Sequence, residues 1–163
     1  GNWKLLQTLH MLAALAPLPA AELRQHLADL FTVIDAADAT DAPLVASLAE
    51  RAFEGAEGLA VLRDAATQPF MLRGLTHADA QVRALTLAQV SRLAMTTYDV
   101  ARLVERGVLP LVAAAVGDEV LHVSQRAAGV FIASAKAGAG SLSLALSDTL
   151  TLDALRALGG SGG

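Results

Sequence analysis

The chain has 163 residues and a mass of 16.7 kDa, enough for one domain with a sizeable core and short for two. Hydrophobic residues reach 54% and aromatics only 4%, so Ala, Leu and Val carry the apolar content, a palette suited to closely packed helices. A formal charge of −4 argues against a surface that wraps nucleic acid; the longest apolar run, Val108 to Val116, is far short of the roughly 18 residues of a bilayer span; and the lack of cysteine removes a disulfide scaffold.

In chain order, Asn2 to Ala16 reads as an amphipathic helix with Leu5, Leu6, Leu9, Leu12 and Leu15 inward, stopped by Pro17 and Pro19. Helices are expected over Ala20 to Asp35 and Ala42 to Phe53, with Asp35, Asp38 and Asp41 as solvated caps in the loop between them. Gly58 to Ala66 and Pro69 to Leu75 follow, then a turn at Thr76 to Asp79 and a helix from Ala80 to Met95. His77, in that turn, is expected to hydrogen-bond backbone. A short helix opens at Tyr98, with Asp99 as its N-cap and Arg106 in its last turn, and closes at Gly107. Pro110 suits the first turn of the next helix, Leu109 to Val116, because its missing N–H would have no partner there anyway. After Asp118-Glu119, the spacing of Val120, Val123, Ala127, Val130, Phe131 and Ser134 predicts a long helix up to Gly138. Seven leucines between Leu142 and Leu158 read as an unfinished further unit, and Gly159 to Gly163 as a flexible tail outside the fold.

These elements repeat. Laying Leu59 to Leu75 over Val100 to Val116 matches Leu62 with Leu103, Pro69 with Pro110 and Leu75 with Val116, each pair 41 positions apart. That period falls in the range of about 40–47 residues of HEAT and armadillo units. The expected fold over residues 1–158 is therefore an all-α, right-handed, armadillo- or HEAT-like solenoid of about three to four repeats, with an irregular first unit covering its end.

The stretch from Val82 to Ala94 resembles the third helix of armadillo repeats, and Arg102 to Val112 resembles their short first helix, glycine and second helix. The positions at which peptide-binding armadillo proteins carry Trp and Asn hold Ala88 and Arg92 here, then Gly129 and Ala133, with Ser47 and Arg51 one unit upstream. A closer resemblance runs from Leu72 to Arg92, through Arg73-Gly74-Leu75, His77, Asp79, Val82-Arg83, Leu85-Thr86-Leu87, Gln89 and Arg92, with a looser match at Leu18 to Arg24. This order is similar to the N-terminal part of the proteasome non-ATPase regulatory subunit 5 family. The resemblance implies a chaperone for assembly of the 26S proteasome base that holds the C-terminal domain of one ATPase-ring subunit. It also implies that the chain is the N-terminal piece of a longer protein.

Sites of chemistry are sparse. His10, His26, His77 and His122 have no metal-ligand spacing, and no phosphate-binding or nucleophile motif occurs, so no metal, cofactor, small-molecule substrate or enzymatic activity is expected. Arg51 and Arg92, 41 positions apart, occupy equivalent places on successive third helices, and with Gln89 and Lys136 they make a candidate cationic strip in the concave groove for an acidic or carbonyl-rich protein surface. The same side chains also serve to keep an Ala-rich chain in solution. A generic armadillo or HEAT adaptor for another protein is the alternative function. No cationic leader precedes an apolar segment, so a cytoplasmic location, with the nucleus second, is the expectation.

Overall fold

A computed structural model describes residues 19–36 and 40–137. The expected helix Asn2 to Ala16, the leucine-rich stretch from Leu142 and the Gly/Ser tail lie outside the described residues. Among those described, every regular element is a helix: α1 (Ala20–Ala36), α2 (Ala42–Ala52), α3 (Gly55–Leu62), a 3-10 turn (Ala65–Thr67), α4 (Gln68–Leu75), α5 (Ala80–Leu93), α6 (Thr97–Glu105), α7 (Val108–Val116) and α8 (Leu121–Ala137). The chain divides into two compact units, residues 1–85 and 86–163, with the division inside α5.

In the first unit α1 packs on α2, α3 and α4. Leu23, Leu27, Leu30 and Ile34 recur every three to four residues along α1 and are buried, which makes one continuous apolar face. Phe53, fully buried, ends α2 and sets its ring 5.3 Å from that of Phe70 on α4, at a tilt of 38°. Burying one such ring contributes about 1.5–3 kcal/mol. The link from α2 to α3 is short, and it forces the backbone of Phe53 against Gly58; a Cβ at Gly58 would overlap the Phe53 main chain. Glycine at that position is therefore a packing requirement.

Polar side chains tie the helices of this unit together. Glu57 on α3 accepts a hydrogen bond from the backbone N–H of Ala20 (2.8 Å), so a carboxylate from a neighbouring helix caps the start of α1. Arg24 pairs with Asp64 at 2.6 Å, and Arg73 with Asp35 at 2.5 Å. The hydrogen bond and the charge of Asp64 push the Arg24 guanidinium above its ordinary value. Asp35, expected as a loop cap, thus sits in the last turn of α1 and reaches α4. His77 does bond backbone, and at both ends of its ring: Nδ1 accepts from Asp79 N–H at 3.0 Å, which leaves the proton on Nε2 to donate to the carbonyl of Ile34 at 3.0 Å. Arg83 closes the same turn by donating to the carbonyls of His77 and Ala78, and Asp79 caps α5 through Gln81 N–H (2.8 Å).

The second unit is built on aliphatic contacts among α6, α7 and α8. Val108, Leu109, Val112, Ala113, Ala115 and Val116 bury most of α7, and Val123, Ala127, Val130, Phe131 and Ser134 form the inner stripe of α8. The N-cap of α6 is Thr96 and not Asp99. Thr96 Oγ1 accepts from Asp99 N–H (3.1 Å) and donates to Asp99 Oδ2 (2.9 Å), so the cap lies three positions earlier than the sequence suggests, since Asp99 fits the third helical position equally well. Arg106 is the C-cap rather than a last-turn residue. Gly107 follows at φ +75°, the left-handed conformation a side chain resists, and turns the chain directly into α7. Pro110 falls in the first turn of α7, as expected. Asp118 Oδ1 accepts from Val120 N–H (2.9 Å) and opens α8.

The boundaries elsewhere move by a few residues. The helix expected over Gly58 to Ala66 starts at Gly55 and breaks at Arg63, and a 3-10 turn takes up Ala65–Thr67, where Thr67 Oγ1 donates to the carbonyl of Val61 at 2.6 Å. Helix starts at Gly55, Gln68 and Ala80 are followed in the same order by Thr97, Val108 and Leu121.

Candidate functional site

Arg51, Arg92 and Lys136 share one placement: each occupies the last turn of its helix, α2, α5 and α8 respectively. A cation there interacts favourably with the helix dipole and with unpaired carbonyls, so helix stability by itself accounts for a basic residue at all three positions. Arg51, in the first unit, is exposed, as is Lys136 in the second. Gln89 is only 3% exposed, and its Oε1 accepts from Arg92 Nη1 at 2.8 Å. The structure therefore brings Gln89 and Arg92 together, with the buried carboxamide orienting a half-buried guanidinium.

Within the second unit, the C-terminal part of α5 and the first half of α8 flank an open cleft of about 310 Å³, lined by Leu87, Ala88, Ser91, Arg126 and Gly129. Three of its five lining residues, Ala88, Ser91 and Gly129, are small. Ala88 and Gly129 are 41 positions apart in the sequence. Gly129 lies in the middle of α8, where glycine destabilises a helix by about 0.5–1 kcal/mol relative to alanine. Neither usual reason for such a glycine applies: its φ is not positive, and a Cβ built on it meets nothing within 4 Å. Arg126, one turn before Gly129 on the same face, is exposed and stands in mid-helix, so the dipole argument does not cover it.

Sequence reasoning missed Arg126 because it compared cations by their repeat position and not by the cleft they border. The available signal was charge: no Asp or Glu occurs from Thr86 to Leu93 or from Leu121 to Ala137, while Arg92, Arg126 and Lys136 do, in a chain with 16 acidic and 12 basic residues.

No cluster of three or more His, Cys, Asp or Glu side chains able to hold a metal ion occurs among the described residues, and none of their helices is long and apolar enough to cross a membrane. The side chains of Thr67, Thr86, Gln89, Asp99 and Ser134 are the buried polar ones among the described residues, spread over separate turns rather than gathered at one point.

A match to the family described as "Proteasome non-ATPase 26S subunit" runs over residues 2–156. The chain belongs to this family. No curated protein matches the sequence. Membership of the proteasome non-ATPase 26S subunit family associates the chain with the proteasome and with protein partners there. The matched span takes in α1 through α8, so the residues of the α5–α8 cleft lie within the part of the chain that carries the family's pattern.

Proposed function

We propose that this chain is the N-terminal part of a non-enzymatic assembly chaperone for the base of the 26S proteasome, similar to the regulatory subunit 5 family, and that it holds the C-terminal domain of one ATPase-ring subunit. The observation that carries the proposal is the family match over residues 2–156, narrowed by the subunit 5-like order of residues from Leu72 to Arg92. The recurrence of helix starts from Gly55, Gln68 and Ala80 to Thr97, Val108 and Leu121 supports an armadillo- or HEAT-like solenoid, an architecture whose stacked third helices present one extended surface to a partner. The mechanism is steric: a rigid helical surface occupies the docking face of the ATPase subunit until assembly displaces it. Such work requires no cofactor, metal or small-molecule substrate, and it belongs in the cytoplasm, with the nucleus as a second location.

Affinity capture with the full-length protein as bait, read by mass spectrometry, tests this. The expected result is one free proteasomal ATPase subunit, recovered without the mature core particle. Recovery of other proteins and no ATPase subunit overturns the chaperone reading in favour of a solenoid adaptor for a different partner.

A further inference from the structure

We propose that Tyr98, in the first turn of α6, is a tyrosine phosphorylation site and that the Arg102 guanidinium receives the phosphate. The inference goes beyond the reading above and does not depend on which partner the chain binds.

Three observations lead to it. The first is access: the Tyr98 ring is 64% exposed, and this is the single tyrosine of the sequence. The second is a receiver already in place. Arg102, one turn further along α6, donates from Nη1 to Tyr98 Oη and holds its guanidinium carbon 5.3 Å from the ring centroid. Both side chains belong to α6, so this bond joins no second helix, in contrast to the Arg24–Asp64 and Arg73–Asp35 pairs of the first unit. The third is a precedent within the chain: Glu57, 41 positions before Tyr98 and in the first turn of α3, is an anion that accepts the Ala20 N–H. Asp99, beside Tyr98 in sequence, is 7% exposed and its Oδ2 accepts from the Thr96 hydroxyl, so its carboxylate is engaged away from the open phenol.

The chemistry is phosphoryl transfer from a nucleoside triphosphate supplied with a protein tyrosine kinase. Tyr98 Oη forms a bond to the terminal phosphorus, the bond from that phosphorus to its bridging oxygen breaks, the nucleoside diphosphate leaves with the electron pair, and the phenolic proton passes to the base of the kinase. The product sets three further oxygens next to a guanidinium that already touches Oη, and the planar fork of arginine suits phosphate through two parallel N–H···O bonds. A phosphate carrying a charge of about −1.5 to −2 in the first turn of a helix also meets the favourable end of its dipole. The phenol, an apolar surface three positions after the exposed Met95, becomes a group that resists burial against another protein.

The test treats the whole folded chain with ATP and a constitutively active protein tyrosine kinase domain of broad specificity, read by intact mass and peptide mapping. One phosphate per chain is expected, at Tyr98, and the product should melt about 2 °C or more above the unmodified protein, as a new charge-assisted pair in α6 predicts. Arg102→Ala is expected to take up phosphate as readily and to gain nothing in melting temperature. Phosphorus NMR titration gives a second readout that does not depend on stability: pairing with Arg102 should lower the second ionisation of the phosphate below its ordinary value of about 6, and Arg102→Ala should restore that value. Full-length protein isolated from its native cells under phosphatase inhibition is expected to carry phosphotyrosine at this position. Phosphorylation of a synthetic peptide spanning residues 92–104 but not of the folded chain overturns the proposal, and so does the absence of phosphotyrosine from the native protein. Identical melting and titration behaviour of the phosphorylated wild type and Arg102→Ala removes Arg102 as the receiver.

Discussion

The two units of this chain use polar side chains differently. In the first, Glu57, Arg24, Asp64, Arg73, Asp35 and His77 reach across to other helices or their ends over 37 to 43 positions of sequence, so that charge and hydrogen bonding position α1 against α3, α4 and the turn before α5. In the second, the bonds from Thr96 to Asp99, Arg92 to Gln89, Asp118 to Val120 and Ser134 to Val130 each join residues within four positions, and α6, α7 and α8 meet through Val, Leu, Ala and Phe. The lesson is that a surface charge has a different meaning in each unit. In the first a cation or carboxylate is part of the scaffold. In the second the packing of α6, α7 and α8 is aliphatic, and a charge such as that of Arg92 is held by a neighbour on its own helix.

That contrast can be broken at several points. The largest effect is expected where both units are alike, in their apolar interiors. Phe53→Ala should destabilise by about 3–5 kcal/mol and Leu109→Ala by about 2–5 kcal/mol in urea titrations followed by circular dichroism. A loss under 1 kcal/mol at either site would mean that the packing described for that unit is wrong. Next comes Gly58→Ala, where one added methyl group meets the Phe53 backbone; a cost of about 1–3 kcal/mol is expected. A stable Gly58→Ala protein would show that α2 and α3 approach less closely than they do here.

The comparison itself is sharpened by a pair. His77→Ala leaves the carbonyl of Ile34 and the N–H of Asp79 without their partner and should cost about 1–3 kcal/mol, whereas Lys136→Ala, on the exposed end of α8, should stay within about 0.5 kcal/mol of wild type. Equal effects would remove the distinction between a polar group that ties helices together and one at an exposed helix end. The smallest change has the opposite sign. Gly129→Ala should stabilise by about 0.5–1 kcal/mol in thermal melts, because the added Cβ meets nothing and the helix gains a better former. Destabilisation there would show that the space before Gly129 is already filled.

Much of the helical layout is legible without coordinates, because its signals are local. The stripe from Val123 to Ser134, the proline at the third position of α7 and the glycine between α6 and α7 each act through residues within one or two turns, where the 3.6-residue period and backbone sterics suffice. The errors occur where two local solutions are close in energy. Thr96 and Asp99 can each begin α6, and the hydroxyl three residues ahead takes the cap, with the Asp99 carboxylate accepting its proton. Gly58 looks like a helix start by its flexibility and is instead inside α3, held there by the close approach of Phe53.

The candidate site divides in the same way. The offset of 41 positions between Arg51 and Arg92, and between Ala88 and Gly129, is read from the sequence alone. Sequence by itself thus determined the all-helical character of the described residues and the places of the small ones, since these are properties of spacing and composition. Only the tertiary structure decided that Gln89 is buried beneath Arg92, that Glu57 caps a helix 37 positions away and that Arg126 borders an open cleft, because burial and long-range contact depend on which helices pack together, and local periodicity does not specify that partner.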